Sequence, residues 1–222
     1  MSLTLEWEAS AIPVSRDHGM NGGANGNGAG RFHWTVDTLY RAVADGAFGI
    51  NDDVELIRGD ILRREPVNPP HATVVRRALR LLRRLLGERF LIMDDKPVQF
   101  AADSLLRPDV SLVAGTEEDY DHRHPAPADT RLLIEVADTS EDRDTRIKTR
   151  LYAEAGILDY RVILVNRRQV NVYRAPANGA YPAPTKLGDG DTVSPLCAPD
   201  ADLAVSELFP PTDDAGNLQA AG

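Results

Sequence analysis

The chain has 222 residues, of which 42% are hydrophobic and 27% charged, as in ordinary globular proteins. No apolar run approaches the ~20 residues that a membrane span needs, and a net charge of −9 argues against a general nucleic-acid coat protein. The single cysteine, Cys197, excludes an internal disulfide framework and favours a cytoplasmic location.

The predicted elements begin after residue 30. Residues 1–30 end in the Gly- and Asn-rich stretch 21–30 and are expected to form a disordered tail. Residues 31–210 are expected to form one domain, and 211–222 a second flexible tail.

The first half of this domain predicts two helices and a hairpin. Thr35 can cap a short helix that reaches Val43. Residues 54–62 alternate about Arg58-Gly59, which indicates a tight hairpin. Residues 71–90 carry an apolar stripe at helical spacing and predict the clearest helix, with Gly87 as its stop.

The second half alternates strands with one more helix. Apolar runs predict strands at about 90–99, 107–113 and 131–137, and a capped amphipathic segment predicts a helix over 141–155. Further elements are expected in the C-terminal part, namely strands at 160–165, 170–173 and 192–193 and a short helix at 203–209. This order predicts an α/β or α+β fold with a mixed central sheet flanked by helices.

Two acidic residues interrupt the apolar strands. Asp109 lies within Arg107-Pro-Asp-Val-Ser-Leu-Val113, and Glu135 lies within Leu132-Leu-Ile-Glu-Val136. An unpaired charge in a buried strand is strongly disfavoured, so both carboxylates need partners. If the strands pair, the carboxylates converge and could hold a hard cation such as Mg²⁺. The alternative is a strand-end Asp and a Glu bonded to backbone amides.

Lys148 is the third candidate, at the border of the apolar stripe of helix 141–155. In the functional interpretation its ammonium points across the sheet, orients the attacking water and offsets charge on a phosphate. In the alternative it forms a surface ion pair with Asp144, one helical turn away. If the site lies at the surface of a cleft, replacing Asp109 or Lys148 is expected to be neutral or stabilising without metal.

Five pieces of the chain, in order over residues 33–210, resemble the Uma2 (DUF820) family of the PD-(D/E)xK restriction-endonuclease superfamily. The Pro-Asp strand and the Glu-Val-x-x-x-Ser segment carry the two acids, and a Lys-x-x-x-Tyr helix follows. The matching segments are Val54–Ile61, Asn68–His71, Arg107–Val113, Leu132–Ser140 and Asp144–Tyr160, with a similar ending at Leu203–Phe209.

The resemblance implies a restriction-endonuclease-like fold and a Mg²⁺- or Mn²⁺-dependent endonuclease acting on DNA. Asp109 and Glu135 would be metal ligands, with the backbone carbonyl of Val136 as a possible third, and Lys148 the active-site lysine. Glu55 would lie near the metal. The superfamily lysine normally follows the acid by two residues, where this chain has Ala137.

The resemblance also implies a homodimer, because the family's fold tends toward two-fold assembly. Arg76, Arg80 and Arg83 of helix 71–87 could contact DNA phosphates, although a solvated helix face would use the same residues. The competing function, from a different class, is a catalytically silent nuclease-fold module for binding or assembly. The acidic charge favours that alternative, and the retained Asp109, Glu135 and Lys148 favour the nuclease.

Overall fold

The computed structural model describes residues 31–48, 53–137 and 141–211, with only the backbone for 141–145. The predicted tail 1–30 and nearly all of 211–222 lie outside the described residues. The helices are α1 Val36–Ala44, α2 Pro69–Leu86 and α3 Glu141–Glu154. The strands are β1 Val54–Ile57, β2 Asp60–Arg63, β3 Leu91–Asp94, β4 Val98–Ala101, β5 Ser104–Leu106, β6 Val110–Val113, β7 Thr130–Ala137, β8 Asp159–Leu164, β9 Gln169–Arg174, β10 Thr185–Leu187, β11 Thr192–Val193 and β12 Leu203–Ala204.

The chain divides into two compact units. The first comprises residues 1–65 and 100–106, and the second comprises 66–99 and 107–222. The prediction of one domain over 31–210 stays a prediction.

The first unit contains α1 and the predicted hairpin. Thr35 caps α1 as predicted. The side chains of Thr35 and Thr38 each accept a hydrogen bond from the backbone N–H of the other residue. The hairpin β1–β2 turns at Arg58 and Gly59, whose φ angles of 50° and 80° match the left-handed turn that suits strand twist. Its strands join a sheet in the order β2-β1-β5-β4.

The second unit is built on a six-stranded sheet in the order β10-β9-β8-β7-β6-β3. Strands β7 and β8 are parallel, with α3 as their crossover, and the other neighbouring strands of this sheet are antiparallel. The predicted strands at 107–113, 131–137 and 160–165 therefore share one mixed sheet, and helices flank it, which confirms the predicted fold class.

The two faces of this sheet bury different residues. Helix α2 packs on the face that carries Ile134, Val136 and Ile163, where it forms the main hydrophobic core. Glu135 alternates to the other face, beside Val162 of β8, and contacts side chains of α3. Glu135 and its partners on α3 therefore lie on the face of the sheet opposite to the α2 core.

Several element boundaries differ from the sequence-based expectation. The strand expected over 107–113 begins only at Val110, so Asp109 immediately precedes β6. The strand expected over 90–99 is two strands, β3 and β4, because Asp95 turns the chain with φ 48° before Lys96-Pro97. The closing helix expected at 203–209 is a two-residue strand, β12, followed by a short 3₁₀ turn at Val205–Leu208. No helix among the described residues is long and apolar enough to cross a membrane.

Candidate active site

The pairing of β6 and β7 places Asp109 and Glu135 opposite each other. Val110 lies opposite Ile134, and continuing this antiparallel register by one residue sets Asp109 opposite Glu135. Both residues are buried, with 6% of Asp109 and 4% of Glu135 exposed. The two acids are therefore neighbours in a region that water barely reaches, and each needs hydrogen-bond partners from the protein.

Glu135 obtains its partners from α3. The ammonium of Lys148 donates to both carboxylate oxygens at 3.1 Å, and the hydroxyl of Tyr152 donates to Oε1 at 2.7 Å. The two donors are four residues apart, which is about one helical turn, so they project from the same side of α3. Lys148 is itself only 5% exposed, so its charge is directed at Glu135 rather than at solvent.

Asp109 obtains its partners from the strand beside it and from α2. Its Oδ2 accepts a bond of 2.7 Å from the backbone N–H of Val136 and lies 3.1 Å from Nε2 of His71. Burial acts to raise the pKa of Asp109, but the hydrogen bond and charge of His71, the charge of Lys148 and the Val136 amide outweigh it. The pKa of Asp109 is therefore below its usual value, which favours the charged carboxylate.

His71 is one of two site residues, with Tyr152, that sequence reasoning missed. It lies in the first turn of α2, where Asn68 caps the helix by accepting a bond of 3.0 Å from the His71 backbone N–H. Its side chain is 17% exposed and meets Asp109 across 38 residues of sequence. The motif Asn68–His71 was recognised only as the start of a helix, because a contact at that separation leaves no local pattern.

The donor set suits a hard cation. Among the described residues, no group of three or more His, Cys, Asp or Glu side chains is placed to hold a metal. Two carboxylates, one just before β6 and one in β7, nevertheless fit Mg²⁺, which keeps several waters and needs only one or two protein carboxylates. Val136, the predicted third ligand, uses its N–H to hold Asp109, and metal binding by its carbonyl stays a prediction.

The remaining predicted residues belong to other elements of the structure. Glu55 is buried on β1 of the first unit, whereas Asp109, Glu135 and Lys148 belong to the second. Arg76, Arg80 and Arg83 are exposed on α2. At 3.6 residues per turn they project roughly opposite to His71 around the helix. The structure thus assembles Asp109, Glu135 and Lys148, adds His71 and Tyr152, and leaves the arginines on the solvent side of α2.

A mixed sheet with one acid just before β6, a second acid in β7 and a lysine on the crossover helix is compatible with a nuclease of the restriction-endonuclease-like type. Comparison with known proteins indicates the same class. The model of the Uma2 family, described as "putative restriction endonuclease", matches residues 41–206. The chain therefore belongs to the Uma2 family.

A solved structure shares the fold. It is described as a "putative nuclease belonging to DUF820" from Anabaena variabilis ATCC 29413, and it aligns with a TM-score of 0.61 at 15% sequence identity. The alignment covers 79% of this chain and 97% of the other. No curated protein matches the sequence.

Proposed function

We propose that the protein is a Mg²⁺-dependent endonuclease that hydrolyses phosphodiester bonds in DNA. The observation that carries this proposal is the buried group of Asp109, Glu135 and Lys148, in which each charge contacts another residue of the site. Burying charged groups costs several kcal/mol per ion. If these three positions served only the stability of the fold, apolar residues of similar size would stabilise it equally well.

Asp109 and Glu135 would hold the metal ion, Mg²⁺ or Mn²⁺, with the Val136 carbonyl as a further ligand. A bound ion would stabilise charge on the phosphate and lower the pKa of a coordinated water. Lys148 now donates to both oxygens of Glu135, so the ammonium and the ion would compete for the same lone pairs. An ammonium displaced from Glu135 becomes available to orient water or to offset phosphate charge.

His71 and Tyr152 would act as positioning residues. His71 forms a hydrogen bond with Oδ2 of Asp109, and Tyr152 donates one to Oε1 of Glu135. One oxygen of each carboxylate is therefore fixed by a side chain of the protein. Such partners fix the orientation of metal-binding carboxylates and tune their affinity. We also propose Glu55 as a further acid near the metal. The support is its position in the segment Val54–Ile61, which resembles the hairpin of the family.

The substrate surface is proposed to include Arg76, Arg80 and Arg83. Their guanidinium groups are exposed, and a helix face with three cations attracts phosphates in a sequence-independent way. Replacing all three by Gln should weaken DNA binding and reduce its salt dependence, which fluorescence anisotropy at several salt concentrations measures. An unchanged salt slope would show that α2 presents only a solvated face.

Cleavage of supercoiled plasmid with and without Mg²⁺ tests the proposed chemistry. Asp109→Asn and Lys148→Met should abolish the Mg²⁺-dependent nicking, because each removes a charge of the buried group. Arg150→Gln is the matched control, since Arg150 lies on the same helix but pairs with Glu154 at the surface. Folding of every variant is checked by circular dichroism. Nicking that survives both site variants would refute the mechanism.

One observation favours the second candidate, a catalytically silent binding or assembly module. The Lys148–Glu135 pair already satisfies both oxygens of one proposed metal ligand without an ion. A measurement of Mn²⁺ binding distinguishes the two functions. Electron paramagnetic resonance gives the concentration of the free ion and so the amount that the protein binds. A protein that neither binds Mn²⁺ nor nicks DNA would be the silent module.

We also propose that the protein is a homodimer, as the family's fold suggests.

A further inference from the structure

A cavity of about 420 Å³ opens on the second unit, beside strands β9 and β10. Its wall includes the aliphatic residues Val172, Leu187, Val193, Pro182, Pro195 and Leu196, together with the polar residues Thr185, Thr192 and Ser194. One charged side chain, Arg174, lines the same cavity and is about one-third exposed. A cavity that combines apolar residues with a small number of polar groups is the usual form of a small-ligand site.

Arg174 belongs to a cluster in which two arginines share one acid. Asp159 is fully buried, and both Arg161 and Arg174 bind it through Nε and Nη2 at 3.1–3.3 Å. The same two Nη2 groups donate to the carbonyl of Ser194, and the backbone N–H of Leu196 donates to Asp159. The cluster therefore fixes the loop that forms one wall of the cavity.

The charges of this cluster do not balance. Two guanidinium groups and one carboxylate leave one net positive charge, and Arg161 is only 2% exposed. Burial acts to lower the pKa of Arg161, Asp159 acts to raise it, and Arg174 lowers it further. Asp202 accepts a bond from the Ser194 hydroxyl, but it is exposed, so water and salt screen its charge.

The Nη1 nitrogen of Arg174 takes no part in this network, and Arg174 lines the cavity. A carboxylate placed there would receive a charge-assisted hydrogen bond and would bring the net charge of the cluster to zero. A doubly charged phosphate would reverse the net charge instead of cancelling it. The aliphatic wall would at the same time remove an apolar ligand body from water.

We infer that this cavity is a binding site for a singly charged carboxylate that carries an aliphatic body. It uses neither Asp109 nor Glu135, and the cluster lies on the sheet face opposite to Glu135, because β8 places Arg161 and Val162 on opposite faces. The ligand could be a small molecule or the C-terminal residue of a peptide, since both present the same chemistry.

Isothermal titration calorimetry on the full chain tests the inference with N-acetyl-leucine as the probe. N-acetyl-leucinamide, which has the same shape without the charge, should bind at least about tenfold more weakly, as expected for loss of one charge-assisted hydrogen bond. Inorganic phosphate should also bind more weakly than N-acetyl-leucine. A tripeptide ending in leucine that binds more tightly than N-acetyl-leucine would assign the site to peptide C-termini, and equal or weaker binding would assign it to small carboxylates.

Variants locate the binding. Arg174→Gln should weaken binding of N-acetyl-leucine about tenfold, and Ala183→Phe, at an exposed lining position outside the ion cluster, should block the cavity without disturbing the cluster. Arg168→Gln is the control, because Arg168 pairs with Asp189 and does not line the cavity. Equal affinity for the acid and the amide, tighter binding of phosphate, absence of binding at millimolar concentration, or undiminished binding by Ala183→Phe would each overturn the inference.

Discussion

Replacement of Lys148 by Met should strongly destabilise the metal-free protein. The side chains of Lys148 and Glu135 are each 6% exposed, and the ammonium bonds both carboxylate oxygens at 3.1 Å. Met fills a similar volume but leaves Glu135 as a buried charge that has lost the ammonium and keeps the Tyr152 hydroxyl as a donor. Breaking such a pair costs about 3–5 kcal/mol in the free energy of unfolding. This burial contradicts the expectation that changes here would be neutral or stabilising.

The measurement is equilibrium unfolding in urea, with EDTA to remove divalent ions. A loss of that size corresponds to a fall of roughly 6–20 °C in Tm for a chain of this length. Arg150→Gln removes an exposed pair on the same helix, with Arg150 and Glu154 2.8 Å apart, and should cost less than about 0.5 kcal/mol.

The double variant Lys148→Met, Glu135→Gln should recover much of the lost stability, because no unpaired charge remains. The energy of interaction in this double-mutant cycle isolates the pair from the packing of either side chain. A loss for Lys148→Met no larger than that for Arg150→Gln would refute the reasoning, since the pair would then behave as a surface contact.

Three further outcomes are expected. The pKa of Asp109 is lowered in the folded protein, so its charged carboxylate stabilises the fold at pH values above its unfolded pKa of about 4. This contribution is lost as the pH falls through the folded pKa. Asp109→Asn should therefore weaken the dependence of unfolding free energy on pH between about pH 5 and pH 2. His71→Ala should weaken Mn²⁺ binding by at least tenfold, measured by electron paramagnetic resonance, whereas a change below twofold would remove its positioning role. Light scattering at micromolar concentration should give twice the 24.3 kDa chain mass, and a monomer would contradict the proposed dimer.

Local sequence signals predicted the elements that depend on local chemistry. Thr35 at the start of α1 and the Arg58-Gly59 turn have recognisable capping and turn residues, and the structure has both features. The break between β3 and β4 was missed because the apolar run 90–99 conceals the turn at Asp95. Strand order was also beyond reach, since no short segment encodes which edge of a sheet it will occupy.

The candidate site was predictable to the extent that its charges interrupt apolar runs. Asp109 and Glu135 were identifiable because a carboxylate within a buried strand requires a partner. Lys148 was ambiguous, because a helical residue at the border of a stripe can turn either to the core or to solvent. His71 had no such context, and its contact with Asp109 exists only after α2 has docked on the sheet.

The separations along the chain divide the site into a local half and a distant half. Glu135 reaches Lys148 over 13 residues and Tyr152 over 17, all within one β7–α3–β8 crossover. Asp109 reaches Val136 over 27 residues and His71 over 38. Loop-closure entropy rises with separation, so the ammonium–carboxylate pair can form at a lower entropic cost than the contact between Asp109 and His71.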